Sequence, residues 1–77
     1  MTHHHDLELD CRGLNCPLPI LKTKKAMDTL SSGQVLRLLA TDPGACNDVS
    51  AWSRRTGNPL LEQEHVGKDY IFYLQKH

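Results

Sequence analysis

Two prolines separated by one residue, Pro17 and Pro19, restrict where the first helix of this chain can begin. A proline ring lacks a backbone N–H and clashes with the preceding turn, so helices tolerate it well only in their first turn. After the prolines, apolar side chains recur with a helical period. Those on one face are Ile20, Thr23, Met27 and Leu30. The sequence therefore predicts a helix that begins at Pro17 and ends near Gly33, a natural C′ residue.

Four other segments have the patterns of strands. Residues 7–11 alternate between apolar and acidic side chains, as a half-buried strand does. Residues 35–40 are nearly all apolar, which predicts a strand in the middle of a sheet. Residues 60–66 and 70–74 are the last two predicted strands, and Gly67-Lys68 between them is typical of a hairpin turn.

A second helix is predicted between the second and third strands. Asp42 is suited to be its N-cap, Pro43 its first helical residue and Gly57 its end. The predicted buried stripe consists of Ala45, Val49 and Trp52.

The resulting order of elements is βαβαββ. Crossovers between parallel strands are right-handed, so both helices should pack on one face of a four-stranded mixed sheet. We therefore expect an α/β (α+β) two-layer sandwich. In a chain of 77 residues this leaves room for one domain, residues 7–77, after a disordered N-terminal segment, residues 1–6.

Charge and hydropathy exclude several classes of protein. Nine basic and nine acidic side chains give a formal charge of zero, which argues against stable, direct nucleic-acid binding. No apolar run approaches the roughly 20 residues that span a bilayer, and the N-terminus lacks the apolar centre of a signal peptide. We therefore expect a cytoplasmic monomer whose three cysteines are free thiols.

Cys16 is the strongest candidate for chemistry because it directly precedes the predicted helix. The first N–H groups of a helix lack intrahelical partners and carry the positive end of its dipole. Such sites favour a thiolate and lower the pKa of cysteine. Pro17 and Pro19 would stiffen this helix start, and Gly13 in the preceding loop is free to take a positive φ.

The other two cysteines are weaker candidates for chemistry. Cys11 shares parity with Leu7 and Leu9, so it is either a packed core thiol or, alternatively, a resolving partner for Cys16 in a redox pair. Cys46 is interpreted as a filler in the second helix. A zinc site formed by the three cysteines and one of the histidines at positions 3–5 would lack the paired close spacing of such sites, so we predict neither a metal nor a cofactor.

Four basic residues lie around the predicted first helix: Arg12, Lys22, Lys24 and Lys25. They are either a docking surface for an acidic partner or an ordinary solvated helix face.

Residues 10–19 of this chain, which read DCRGLNCPLP, resemble the CPxP signature of the TusA/SirA-like sulfur carriers. The resemblance continues through most of the remaining sequence. Its further positions are Asp42-Pro43-Gly44, Trp52, Thr56-Gly57 and residues 70–76. Carried over to this chain, it implies that Cys16 bears a persulfide, with Pro17 and Pro19 as the motif prolines. It also implies the βαβαββ two-layer fold.

The same resemblance implies partners rather than a stand-alone enzyme activity. A cysteine desulfurase or a rhodanese-type protein would donate sulfur, and a downstream protein would accept it. The implied destinations are tRNA 2-thiouridine, molybdenum cofactor assembly and dissimilatory sulfur oxidation. The competing hypothesis from the residues themselves is a thiol redox protein or sensor that uses Cys11 and Cys16.

Overall fold

The computed structural model of the chain describes residues 4–15 and 18–77. Its elements are β1 (Leu7–Cys11), α1 (Leu18–Asp28), β2 (Val35–Ala40), α2 (Ala45–Thr56), β3 (Leu60–Val66) and β4 (Asp69–Gln75). This is the βαβαββ order that the sequence predicts. Neither of these helices is long and apolar enough to cross a membrane.

The four strands form one mixed sheet in the order β1-β2-β4-β3. β1 runs parallel to β2, with Cys11 opposite Ala40, and β4 runs antiparallel to both of its neighbours. β2 therefore has a strand on each side, which explains why its sequence is almost entirely apolar. β1 and β3 are the two edge strands.

Both helices pack on one face of this sheet, as predicted. Every second residue of the strands points to that face, and these residues meet the buried side chains of the helices. The core consists of Cys11, Met27, Leu36, Leu38, Ala40, Val49, Trp52, Phe72 and Leu74. Full burial of a side chain as large as leucine or phenylalanine contributes about 1.5–3 kcal/mol, so this single layer supplies most of the favourable free energy of folding.

The end of the first helix was predicted wrongly. α1 ends at Asp28, not near Gly33. The hydroxyl of Thr29 donates a hydrogen bond to the carbonyl of Ala26 at 2.6 Å, and the Thr29 N–H donates to the same oxygen at 3.1 Å. These three-residue bonds tighten the chain and stop the helix. Gly33 has φ +90° in the turn before β2, where its N–H donates to the carbonyl of Lys76.

The start of the second helix also differs from its prediction. α2 begins at Ala45, and its N-cap is Gly44 rather than Asp42. The Asp42 carboxylate instead accepts a hydrogen bond from the Gly44 N–H at 3.1 Å, which closes a turn before the helix. Pro43 lies in this turn. The predicted end is confirmed, since Gly57 is the C-cap with φ +81°.

Two predictions concern side chains at the start of α2 that lie outside the described part of the structure. They are the burial of Ala45 and the filler role of Cys46, and both stay predictions.

The segment predicted to be disordered includes Asp6, whose N–H donates to the Val35 carbonyl at 2.8 Å. Its carboxylate in turn accepts a hydrogen bond from the Val35 N–H at 2.9 Å.

The opposite face of the sheet carries a row of polar side chains over a small apolar cluster. Arg37 lies at the centre of the row, where its Nε donates to the Tyr73 hydroxyl at 3.1 Å and its Nη1 pairs with Glu8. These three residues occupy matching register positions on β1, β2 and β4. The apolar side chains of this face are Val35, Leu39, Ile71 and Tyr73.

Two acidic residues of the edge strand β3, Glu62 and Glu64, lie on this same face. One oxygen of Glu64, Oε1, is buried without a hydrogen-bond partner among the described residues. A hydrogen bond with Glu62, burial and repulsion from Glu62 raise the pKa of Glu64 above its ordinary value of 4.5. Because the folded state binds this proton more tightly than the unfolded chain, the contribution of Glu64 to stability is present below pH 4.5 and is lost as the pH rises through its raised pKa.

We therefore expect Glu64→Gln to raise the melting temperature by a few degrees at neutral pH, because the uncharged amide removes the repulsion from Glu62. Below the ordinary pKa of 4.5 the two proteins should melt together, since Glu64 is then protonated. Thermal denaturation followed by circular dichroism at both pH values measures this. Glu8→Gln is the matched control and should lower the melting temperature at neutral pH, because it removes the partner of Arg37. An unchanged or lower melting temperature for Glu64→Gln at neutral pH would contradict the prediction.

Candidate functional site

The candidate site lies where the loop after β1 leads into α1. Residues 12–15 form this loop, and Cys16 and Pro17 follow it in the sequence. Both lie outside the described residues, so the predicted roles of Cys16 and Pro17 stay predictions. The residues on either side, 12–15 and the first turn of α1, are the part of the site whose contacts the structure gives.

The first anchor of the loop is a clamp formed by Asp10 and Arg12. The Asp10 carboxylate accepts the Arg12 backbone N–H at 3.0 Å and two guanidinium N–H groups at 2.9 Å each. The guanidinium also lies 3.6 Å from the carboxylate of Asp69, the first residue of β4. The hydrogen bonds from Arg12 lower the pKa of Asp10 from 3.8 to about 2. The clamp is thus fully ionised above pH 3.8 and is lost only as the pH falls through about 2.

The second anchor joins the loop to the segment that follows β2. The N–H of Gly13 donates to the hydroxyl of Thr41 at 2.8 Å. Gly13 has φ +81°, a left-handed conformation that a residue with a Cβ adopts only at a cost. The next residue, Leu14, packs against the core and donates its N–H to the Cys11 carbonyl at 3.2 Å. The loop is therefore held by a salt bridge, a side-chain hydrogen bond and a backbone turn.

The first turn of α1 is equally well anchored. The N–H of Leu18 donates to the carbonyl of Asn15 at 2.9 Å, which links the loop directly to the helix. Pro19 lies in the first turn, as predicted, and is buried. Its carbonyl accepts the hydroxyl of the buried Thr23 at 2.7 Å, so this polar side chain is satisfied inside the core. The first turn contains no acidic residue that would neutralise the positive end of the helix dipole.

Cys11 lies in the core, as its parity predicts, with no exposed surface. Burial raises the pKa of its thiol. The charge of Lys22 lowers it and that of Asp10 raises it, and the net shift is upward. A resolving cysteine needs thiolate character and access to its partner, and burial works against both. The position of Cys11 therefore favours the packed thiol over the redox pair.

The four predicted docking residues do not form one patch. Lys22 and Lys25 line a groove between α1 and β1. Lys24 is exposed and does not line this groove, because a two-residue step turns it to the other flank of the helix. Arg12 is bound to Asp10 and Asp69 in the clamp. In the described part of the chain, none of the three lysines takes part in an ion pair.

The sequence analysis assigned no anchoring role to three residues of this site, namely Asp10, Thr41 and Asp69, and named Asp10 only as the first residue of the signature. Asp10 carried a local signal, since an aspartate that begins a loop often accepts the N–H two residues later. Thr41 and Asp69 carried none, because their contacts join positions 28 and 57 residues apart that only the sheet brings together. Within residues 4–15 and 18–77, no three potential metal ligands lie close enough to hold an ion.

Comparisons with known proteins agree with this fold and sequence pattern. The structure is similar to that of a SirA-like protein from Desulfitobacterium hafniense, with a TM-score of 0.79 at 19% identity over 91% of this chain and 96% of the other. At that identity the likeness concerns the fold alone.

Two sequence relatives are similar over nearly their whole length. The chain is 51% identical to the sulfur carrier protein TusA of Allochromatium vinosum, over 92% of this chain and 93% of the relative. It is 34% identical to the sulfur carrier protein TusA of Pseudomonas aeruginosa, over 99% of this chain and 96% of the relative. The family model described as "Sulfurtransferase TusA" matches residues 7–76. With a family match across the whole βαβαββ unit and its anchored loop, this chain belongs to the TusA family.

Proposed function

We propose that this protein is a sulfur carrier that accepts sulfane sulfur as a persulfide on Cys16 and delivers it to an acceptor protein. The observation that carries the proposal is the anchored loop of residues 12–15, which Cys16 follows in the sequence, two residues before the first residue of α1. Membership of the TusA family and the names of the two relatives support it.

The proposed transfer is an exchange at sulfur. The Cys16 thiolate attacks the terminal sulfur of a donor persulfide, a new S–S bond forms, and the donor leaves as a thiolate. The terminal sulfur and its proton now reside on Cys16 as Cys16-S-SH. In the second step an acceptor thiolate attacks the same terminal sulfur and releases the Cys16 thiolate. Neither step has a net oxidation, so neither needs an external oxidant, reductant, metal or cofactor.

The surroundings favour the thiolate that this exchange needs. The N-terminus of α1 offers partial positive charge, and its first turn holds no carboxylate that would oppose it. Cys11 is enclosed in the core, which argues against a part for it in the exchange. A loop tied to β1, the β2–α2 connection and β4 would present the sulfur in one orientation to successive partners.

The proposed partners are a cysteine desulfurase or rhodanese-type donor and a downstream acceptor protein. The proposal includes the three destinations that the sequence resemblance implies, namely tRNA 2-thiouridine, molybdenum cofactor assembly and dissimilatory sulfur oxidation. It also includes the cytoplasmic location and the monomeric state that we expect from the sequence.

Incubation with a cysteine desulfurase and cysteine should add about 32 Da, the mass of one sulfur atom, to the wild-type protein. Intact-protein mass spectrometry without reductant measures this gain. Cys16→Ala should gain nothing, because the attacking thiolate is gone. Cys11→Ala should gain sulfur as the wild type does, since the alanine keeps the core apolar and Cys11 takes no part. Absence of a gain on wild type, or a gain on Cys16→Ala, would refute the carrier proposal; its loss on Cys11→Ala would favour the redox pair.

Thr41→Val should slow the loading of Cys16 by roughly two- to fivefold, because the Gly13 N–H loses the acceptor that fixes the loop. Thr41→Ser keeps the hydroxyl and is the matched control, so it should load at the wild-type rate. The initial rate of the mass gain at limiting donor measures both variants. Equal rates for the valine and serine variants would show that this hydrogen bond does not position the site.

A further inference from the structure

An open groove of about 370 Å³ runs between α1 and the edge strand β1. Leu7 and Leu9 of β1 and Ala26 of α1 give it an apolar lining. Lys22 and Lys25, both exposed residues of α1, stand along its rim. The groove therefore combines an apolar lining with two positively charged side chains.

The strand that bounds this groove has a free edge. β1 hydrogen-bonds with β2 on one side, and no strand in the described part of the chain pairs with its other side. Its five residues span about 16 Å. An edge of this kind presents unpaired N–H and C=O groups to any extended segment laid beside it.

The other edge of the sheet is less suited to the same use. The pairing of β3 shifts register between Leu60 and Glu62, a bulge of the kind that disfavours pairing with a further strand. β3 also carries Glu62 and Glu64, whose charges would repel an acidic segment. Of the two edge strands, β1 is the one with regular pairing, and the groove lies beside it.

The charges around β1 favour an acidic occupant. The two acidic residues of β1, Glu8 and Asp10, are already paired with Arg37 and Arg12. Lys22 and Lys25 have no ion pair among the described residues, so the groove side keeps uncompensated positive charge.

The groove also leads towards the candidate site. Leu18, the first residue of α1, lies one helical turn before Lys22 on the same flank, and 45% of it is exposed. It extends the apolar surface to the end of the helix that follows Cys16 in the sequence. A segment lying along the groove would thus end beside the loop of residues 12–15.

We propose that this groove docks an extended, acidic segment of a partner protein of the sulfur relay, which adds to β1 as a fifth strand. Backbone hydrogen bonds to the edge hold the segment, apolar side chains enter the groove, and acidic side chains meet Lys22 and Lys25. That the partner belongs to a sulfur relay rests on the proposed function. The docking itself can be measured without any transfer of sulfur.

The test is a titration of the isotopically labelled full chain, under reducing conditions, with a blocked octapeptide that has threonine at every second position. Valine and glutamate alternate at the positions between, so that both kinds of side chain can face the groove. Amide NMR shifts should change at residues 7–11 and along the groove flank of α1. The same octapeptide with lysine in place of each glutamate should bind more weakly. Lys22→Glu combined with Lys25→Glu should weaken binding of the acidic peptide by roughly tenfold. Lys24→Glu is the matched control on the other flank and should change the affinity much less.

Backbone methylation of the peptide separates strand addition from simple charge attraction. In each of two versions of the acidic peptide, every second backbone nitrogen is methylated, so that one version is blocked along one edge of the strand and the other along the opposite edge. The version blocked on the edge that pairs with β1 should lose binding, and the other should keep it. Binding of both methylated versions, shifts confined to β3, a dimer paired through β1, or no shift with the acidic peptide would each overturn the docking inference. Because the titration uses no sulfur, its failure leaves the mass-gain test of the carrier proposal unaffected, and failure of the mass gain leaves this titration intact.

Discussion

The parallel pairing of β1 with β2 is the constraint on which the candidate site depends. Its register ends with Cys11 opposite Ala40, so both strands finish at the same edge of the sheet. The loops that follow them therefore start side by side, and the Gly13 N–H reaches the Thr41 hydroxyl at 2.8 Å. β4 begins beside the same edge, which brings Asp69 within reach of Arg12. A shift of this register by one residue would separate these anchors and turn Leu7 and Leu9 away from the core.

This arrangement suits a protein too small to enclose an active site. With helices on only one face of the sheet, a chain of this size has a thin core and little room for a deep pocket. A site at the surface must then be fixed by polar contacts around a loop. Single exposed ion pairs contribute little to stability, but a bidentate clamp and two hydrogen bonds on one short loop restrict its geometry together. Such a site remains open to other proteins, as a handover of sulfur requires.

Local patterns in the sequence were enough to predict the fold. Alternation predicted β1 and the burial of Cys11, and the apolar run of β2 predicted its central place. The errors came where a side chain competed with the backbone, because the Thr29 hydroxyl stops α1 early and the Asp42 carboxylate closes a turn instead of capping α2. Hydrophobic periodicity and helix propensity do not show which of two possible hydrogen bonds a short polar side chain will make.

The site itself was predictable only in part, for a different reason. The motif from Asp10 to Pro19 indicated where chemistry should lie, because its signal is contained in consecutive residues. The contacts that hold the motif in place join distant parts of the chain, and one sequence carries no record of them.

The basic residues near α1 also show what the sequence alone does not reveal, and their arrangement affects how a partner could bind. In the sequence they are one cluster, but the helical turn directs Lys22 and Lys25 towards the β1 groove and Lys24 away from it, while Arg12 is taken up by two carboxylates. The two lysines that share the β1 groove therefore lie on one flank of the helix, and Lys24 carries its charge on the other. A contact formed by five edge residues and two lysines buries little surface, and small contacts dissociate quickly. Rapid dissociation is what a carrier needs, because it must leave the donor before the acceptor can approach the same sulfur.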